Sequence, residues 1–292
     1  MCMLGITLAL LSAAASGFSV VIVGRHSTKS SAFNMSFLIS AVGLVILWPL
    51  ALILTDFAAV NLEGIALFAL GGLLTPGIVR LFYYNGLVKI GTSVNSSIFS
   101  IYPLYTALMA VIFLSEILTP QNWVGVVSIA LGVILAELSF RRANNGKKHM
   151  TKSLIFPILG GLTLGVSAIL RKAALDLFNA PVLGVAVAYT FSFLLYAAML
   201  AASQSTRETL SLKRDLRLFW LAGVGQVLSW IFSFYALSME QVSLITPLLS
   251  IEPLFVVLLA YLYLREQEQL SFRLVAGIFL TFLGVVLVTI TL

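Results

Sequence analysis

The chain carries the stretch Ser100-Ile101-Tyr102-Pro103-Leu104 and, 150 positions later, Ser250-Ile251-Glu252-Pro253-Leu254. The same displacement sets Glu116 on Glu266. Past the glutamates a two-residue insertion changes it to 152, so that Gly125 meets Gly277 and Gly132 meets Gly284. Proline, glutamate and glycine positions that keep register in this way mark an internal duplication rather than chance similarity between apolar segments.

What is duplicated is apolar. Uncharged or nearly uncharged runs fall at 3–24, 33–55, 62–88, 92–115, 122–140, 153–172, 182–203, 216–239, 241–264 and 272–291. Each is near the roughly 20 residues that a helix needs to cross a bilayer. Five lie on each side of the longest polar connection, Arg141 to Lys152 (RRANNGKKHMTK). The expected organisation is a first five-helix repeat over 1–140, a basic linker over 141–152 and a second five-helix repeat over 153–292. An odd number of spans per repeat inserts the two halves in opposite orientations. The predicted fold is therefore an all-α polytopic membrane protein of ten transmembrane helices, arranged as two inverted five-helix repeats around a central cavity.

Composition agrees. Of 292 residues, 60% are hydrophobic and 10% charged, against roughly 45–50% and about 25% in a soluble domain. That excludes a soluble globule, a disordered chain and a nucleic-acid-binding domain, because the net charge of +6 sits on few sites between long apolar runs. The first run, to about Gly24, lacks a positive n-region and is longer than a signal-peptide core. It is read as a retained helix although Ala13-Ala14-Ala15 resembles a cleavage site. Connections after the first, third, fifth, seventh and ninth runs hold 14 Lys and Arg, the opposite set holds Arg171 and Lys172, and Arg80 lies inside a run. The positive-inside rule then places both termini on the non-cytoplasmic face.

Several chemistries are absent from the pattern. Cys2 is the single cysteine, and His26 and His149 lie in polar connections with no second ligand at metal spacing. No Gly-rich loop ends in Gly-Lys-Ser/Thr, so the chain does not cradle ATP phosphates in the usual way. No metal, cofactor or catalytic residue is expected, and any transport this chain performs is secondary or facilitative.

Ionisable groups inside spans cost roughly 2.5–3.5 kcal/mol at mid-helix, which makes each a functional candidate. Arg80, 18 residues into the third run, and Glu252, near the middle of the ninth, are the deep ones. Displaced by 150, Arg80 corresponds to Trp230, and Tyr102 to Glu252. Around them, Arg80, Tyr83, Tyr84 and Leu87 share adjacent faces of the third span behind Pro76-Gly77. Asn95, Phe99, Tyr102 and Met109 share a stripe on the fourth, and Gln226, Trp230 and Ser233 recur at helical spacing on the eighth. The expected substrate site is Arg80, Tyr84, Asn95, Phe99, Tyr102, Gln226, Trp230, Tyr235 and Glu252. In it Arg80 holds a carboxylate, Glu252 an amino group, and Tyr84, Tyr102, Trp230 and Tyr235 form the walls. Plainer readings stand beside it: Arg80 snorkels to an interface, and Glu252 is a buried glutamate beside Pro253 or the ion-pair partner of Arg80. Glu116 and Glu266 read as carboxylates that anchor helix ends, and Glu137 with Arg141 as an interfacial pair. Ala14, Ser16, Gly17, Gly161 and Gly165 read as packing positions.

The doubled pattern of Pro103 with Glu116 and Glu252-Pro253 with Glu266, each followed by a Gly-rich helix (Gly125, Gly132; Gly277, Gly284), resembles the EamA-type ten-helix carriers of the drug/metabolite transporter superfamily. The resemblance spans essentially the whole chain. It implies substrates such as amino acids and other small metabolites. It also implies a basket of helices around a cavity contributed mainly by the first, third and fourth spans and their counterparts, and cytoplasmic termini, opposite to the charge count. The resulting expectation is a multi-pass protein of a prokaryotic plasma or inner membrane, working as a monomer. It exports amino acids or related compounds by alternating access, with proton coupling left open, and its partners are a small-molecule substrate and the lipid bilayer. The alternatives are a facilitator or importer of a sugar-like or cationic solute, or a membrane subunit without transport. An enzyme acting on lipid head groups is disfavoured because the acid-base clusters it needs are missing.

Overall fold

A computed structural model describes residues 2–26, 29–57, 60–90, 95, 99, 101–140, 152–204, 210–252, 254–256, 258–259 and 272–289. Its helices, in chain order, are α1 (Cys2–His26), α2 (Ala32–Leu54), α3 (Leu62–Gly72), α4 (Val79–Ile90), α5 (Tyr102–Phe113), α6 (Pro120–Phe140), α7 (Ile155–Leu177), α8 (Pro181–Ala202), α9 (Leu212–Met239), α10 (Val242–Leu249) and α11 (Phe272–Thr289). Among the described residues there is no strand. Six helices are long and apolar enough to cross a membrane: Met3–His26, Ala32–Leu54, Leu62–Gly86, Ile155–Leu177, Pro181–Ala202 and Leu212–Met239. Shorter apolar helices occupy Tyr102–Phe113, Pro120–Leu135 and Ala276–Val288, and α10 lies in the ninth run. The protein is an all-helical polytopic membrane protein.

Local sequence sets the ends. The Ser31 side chain accepts from Asn34 N at 3.1 Å and caps α2, and the Asn61 side chain accepts from Gly64 N at 2.9 Å and caps α3. Before α6, Thr119 Oγ1 accepts from Asn122 N at 3.2 Å while Asn122 Oδ1 accepts from Thr119 N at 2.9 Å, a reciprocal cap. The third run is not one straight helix. A widened turn at Leu73–Ile78 joins α3 to α4, and Thr75 within it is non-helical (φ −141°, ψ 118°), because Pro76 has no N–H to donate and crowds the preceding turn. The Tyr196 hydroxyl of α8 holds this turn, 2.9 Å from Pro76 O and 2.6 Å from Gly77 O. The sixth run is longer than expected. It continues to Leu177 instead of ending at 172, so Arg171 and Lys172 are helical rather than part of a connection.

The polarity of the packing is that of a molecule solvated by lipid. Val45, Ile53, Ile112, Phe113, Phe279 and Phe282 face outward, while Ser12, Ser19, Ser40, Ser167 and Ser192 are buried between helices. These small residues fix how the helices run. Ser12 Oγ donates to Ser229 O and Ser19 Oγ to Ala222 O, both at 2.8 Å, so α1 and α9 are antiparallel. Ser167 Oγ donates to Gly71 O at 3.0 Å, and Gly64 abuts Ala174 and Phe178, so α3 and α7 are antiparallel too. In α2 and α8, Ser40 meets Ser192 and Gly43 meets Tyr189, again antiparallel. Gly161 and Gly165 of α7 lie on Tyr102 and Thr106 of α5, so this pair runs parallel. The pair α6 and α11 packs most tightly. A Cβ on Gly132 would stand 2.5 Å from Thr281 N and 2.7 Å from Gly277 O, and one on Gly284 would stand 2.7 Å from Gly125 O. Backbone meets backbone there, in opposite directions.

Candidate functional site

A cavity of about 120 Å³ opens where α1, α5, α7, α9 and α10 converge. Its described lining includes Ser12, Ala13 and Ser16 of α1, Tyr83, Phe99 and Tyr102, Leu164 and Arg171 of α7, Ser229, Trp230 and Ser233 of α9, and Thr246, Leu249, Ser250 and Glu252. A water needs about 10–15 Å³ in such a measure, so the space suits a small solute. Its walls are aromatic on one side. Phe99 stands 5.0 Å from Tyr83 and 5.7 Å from Tyr102 between ring centroids, and Trp230 packs 5.8 Å from Phe234.

Three elements position the carboxylate. Gln226 Nε2 of α9 donates to Ser16 Oγ of α1 at 3.2 Å, and Ser16 Oγ donates to Glu252 Oε2 at 2.5 Å. Because Ser16 accepts from the amide, its own hydrogen is turned toward the carboxylate. Among the described residues the second carboxylate oxygen of Glu252 has no hydrogen-bond partner. Ser16, which the sequence suggested as a packing residue, is thus part of the cavity and holds Glu252. Gly17 beside it fits its packing role, facing Phe255.

The other charge in the lining is Arg171, 4% exposed. Its guanidinium lies 4.9 Å from the Trp230 ring centroid and 5.7 Å from that of Phe234, and Nε donates to Ser167 O at 3.2 Å. Such stacking is worth about 0.5–2 kcal/mol and fixes the plane of the group. The signal was present in the sequence: Gly160, Leu164, Ser167 and Arg171 recur at i, i+4, i+7 and i+11, which sets Arg171 on the inward stripe and turns Lys172 away by 100°. Lys172 accordingly reaches Asp176 at 3.0 Å and Leu237 O at 3.1 Å.

Four of the expected site residues, Phe99, Tyr102, Trp230 and Glu252, line the cavity, and Gln226 supports it through Ser16. The other four do not line it. Arg80 lies among α2 and α8, donating to Ser40 Oγ at 3.0 Å and Tyr189 OH at 3.3 Å, with its guanidinium carbon 5.5 Å from the Tyr189 ring centroid. Among the described residues neither Arg80 nor Arg171 has a carboxylate within 4.0 Å, so Glu252 is ion-paired with neither. Tyr84 packs with Val23, Met35 and Phe219, one position and 100° from Tyr83, which takes the cavity side. Asn95 ties Tyr83 O at 3.0 Å and fills the space above Gly86. Tyr235, five residues and 140° beyond Trp230, joins the general core.

Glu116 anchors a helix end, and the partner is a different helix. Its carboxylate accepts from Val242 N at 2.9 Å, Ser243 N at 3.0 Å and the Ser243 hydroxyl, capping α10 from outside. Glu266, Pro253, Arg141 and the side chain of Glu137 lie outside the described residues.

Comparison with known proteins agrees with this architecture. An uncharacterized transporter of Archaeoglobus fulgidus is 24% identical over 289 residues, 98% of each chain. A protein of known crystal structure superposes with a TM-score of 0.75 at 15% identity, over 98% of this chain and 97% of its own, a likeness of fold. The EamA-like transporter family matches the chain twice, over residues 3–138 and again over 151–290. A polytopic helical protein matched by that family along nearly its whole length is a membrane transporter, and the chain belongs to the EamA-like transporter family.

Proposed function

We propose that this protein is a secondary transporter that exports a small amine-bearing metabolite, an amino acid or related compound, across a prokaryotic plasma or inner membrane by alternating access. The observation that carries the reading is Glu252, a carboxylate with one oxygen unpaired among the described residues, in a cavity built from residues of both the 1–140 and 153–292 segments. A charge kept at that depth needs something to bind. Two inverted halves of five spans supply the motion. Contacts come in twins under the repeat: the first span meets the eighth as the third meets the sixth, the first meets the ninth as the sixth meets the fourth, and Gly125 against Gly284 mirrors Gly277 against Gly132. That is the pattern expected of halves related by an axis in the membrane plane. With Arg171 withdrawn into a helix, the basic residues concentrate still more on one side, and both termini are assigned to the non-cytoplasmic face.

Counterflow into liposomes holding the purified protein tests this. Exchange of labelled amino acids, with weaker exchange of a sugar and of a quaternary amine, is expected. Preference for the sugar or the quaternary amine supports the facilitator or importer reading instead. No exchange of any of them removes the transport proposal. Terminal reporters active only in the cytoplasm would overturn the orientation.

A further inference from the structure

We infer that Arg171 is the carboxylate-binding residue of the cavity, and that Arg171 and Glu252 together select solutes carrying both a carboxylate and an amine. The inference rests on the cavity being the transport site. Among the described lining residues Arg171 is the one cation and Glu252 the one anion, and they share about 120 Å³ without coming within 4.0 Å of each other.

Each group is held so that its reactive edge stays unused. The guanidinium carbon lies over the Trp230 and Phe234 rings, Ser167 O takes Nε, and among the described residues neither terminal NH₂ group has a hydrogen-bond partner. Those two groups form the fork that takes a carboxylate through two parallel hydrogen bonds. Three of the lining hydroxyls are engaged elsewhere: Ser12 donates to Ser229 O, Thr246 to Val242 O and Ser250 to Pro247 O. On Glu252, Ser16 occupies one oxygen and leaves the other for an ammonium.

Two opposite and unjoined charges, one buried and one half-buried, set the selectivity. A dipolar solute completes both ends at once. An amine without a carboxylate leaves Arg171 unpaired, and a carboxylate without an amine leaves Glu252 unpaired, so each binds at the cost of one buried bare charge. Arg171 therefore excludes simple amines that Glu252 alone would accept.

The test uses the full chain in liposomes, loaded in turn with alanine, ethylamine and propionate, with exchange of each labelled probe measured. The wild-type protein is expected to exchange alanine at least tenfold faster than either singly charged probe. Arg171→Gln is expected to lose at least tenfold in alanine exchange and to bring alanine and ethylamine within threefold. Arg171→Lys, which keeps the charge and loses the fork, is expected to fall between them, and it carries the test if Arg171→Gln does not yield a monodisperse protein. Undiminished discrimination in the folded variant, or wild-type exchange of ethylamine as fast as alanine, overturns the assignment while leaving transport standing. Absence of exchange for every probe, joined by absence of sugar and quaternary-amine exchange, overturns transport and this assignment together.

Discussion

Among the described residues two arginines, Arg80 and Arg171, and two glutamates, the buried Glu116 and the half-buried Glu252, sit between helices, and their surroundings differ in one respect. Arg80 and Glu116 engage the protein through both ends of their polar heads: Arg80 through each terminal nitrogen, to Ser40 and Tyr189, and Glu116 through both oxygens, to two backbone N–H groups and a hydroxyl. Arg171 and Glu252 are steadied from one side and left open on the other, facing a shared space. What separates them is how the protein engages the group, and under the proposed function that divides charges that hold the scaffold from charges that bind a solute.

The largest expected effect lies on the scaffold side. Arg80→Ala removes a large side chain from a buried site and strands the Tyr189 hydroxyl, costing about 3 kcal/mol or more of stability. The check is the melting of purified protein, with transport normalised to the folded fraction falling less than stability. A variant that melts like the wild type yet does not transport would move Arg80 to the other side of the comparison. Next comes Glu116→Ala, which orphans the first N–H groups of α10 and is expected to cost about 2 kcal/mol by the same measurement. An unchanged melting temperature would show that water replaces the carboxylate at that helix end.

Glu252→Gln keeps shape and hydrogen bonding while removing charge. Exchange of an amine-bearing solute is expected to drop at least tenfold, about 1.4 kcal/mol, in a protein that inserts and melts normally, and the pH dependence flattens if coupling is protonic. Because Glu252 and Arg80 are not paired, adding Arg80→Gln is not expected to restore anything. Normal exchange at every pH by a stable Glu252→Gln protein removes it from the site. The smallest effect is expected of Trp230→Phe, which keeps a ring under Arg171 but a weaker one, losing about 0.5–1 kcal/mol of binding. A loss as deep as that of Arg171→Gln would mean that Trp230 touches the solute directly.

Much of this was readable from the residues alone. Apolar runs located the helices, and Glu252 stood out because no other charge interrupts its run so deeply. Aromatic spacing identified Phe99, Tyr102 and Trp230. What escaped was azimuth and run length. Tyr84 and Tyr83 differ by one residue, and only packing against Val23 and Phe219 decides which turns away from the cavity. Arg171 was hidden by its neighbour, since two adjacent basic residues resemble the end of a span, whereas the helix continues to Leu177 and sends the two side chains to different surroundings. Ser16 carries no charge or bulk to betray a role that depends on Gln226 and Glu252 arriving from far along the chain.

Tyr196 ties the two halves of the chain together at the break in the third span. The Pro76 and Gly77 carbonyls that it reaches belong to that span, but the hydroxyl comes from Pro181–Ala202 in the second half of the chain. Ribosome and insertion machinery deliver spans in chain order, so this tie forms only after roughly a hundred further residues have been made. A half-chain that ends in the linker lacks it, and its third span is expected to be less firmly held than in the full chain.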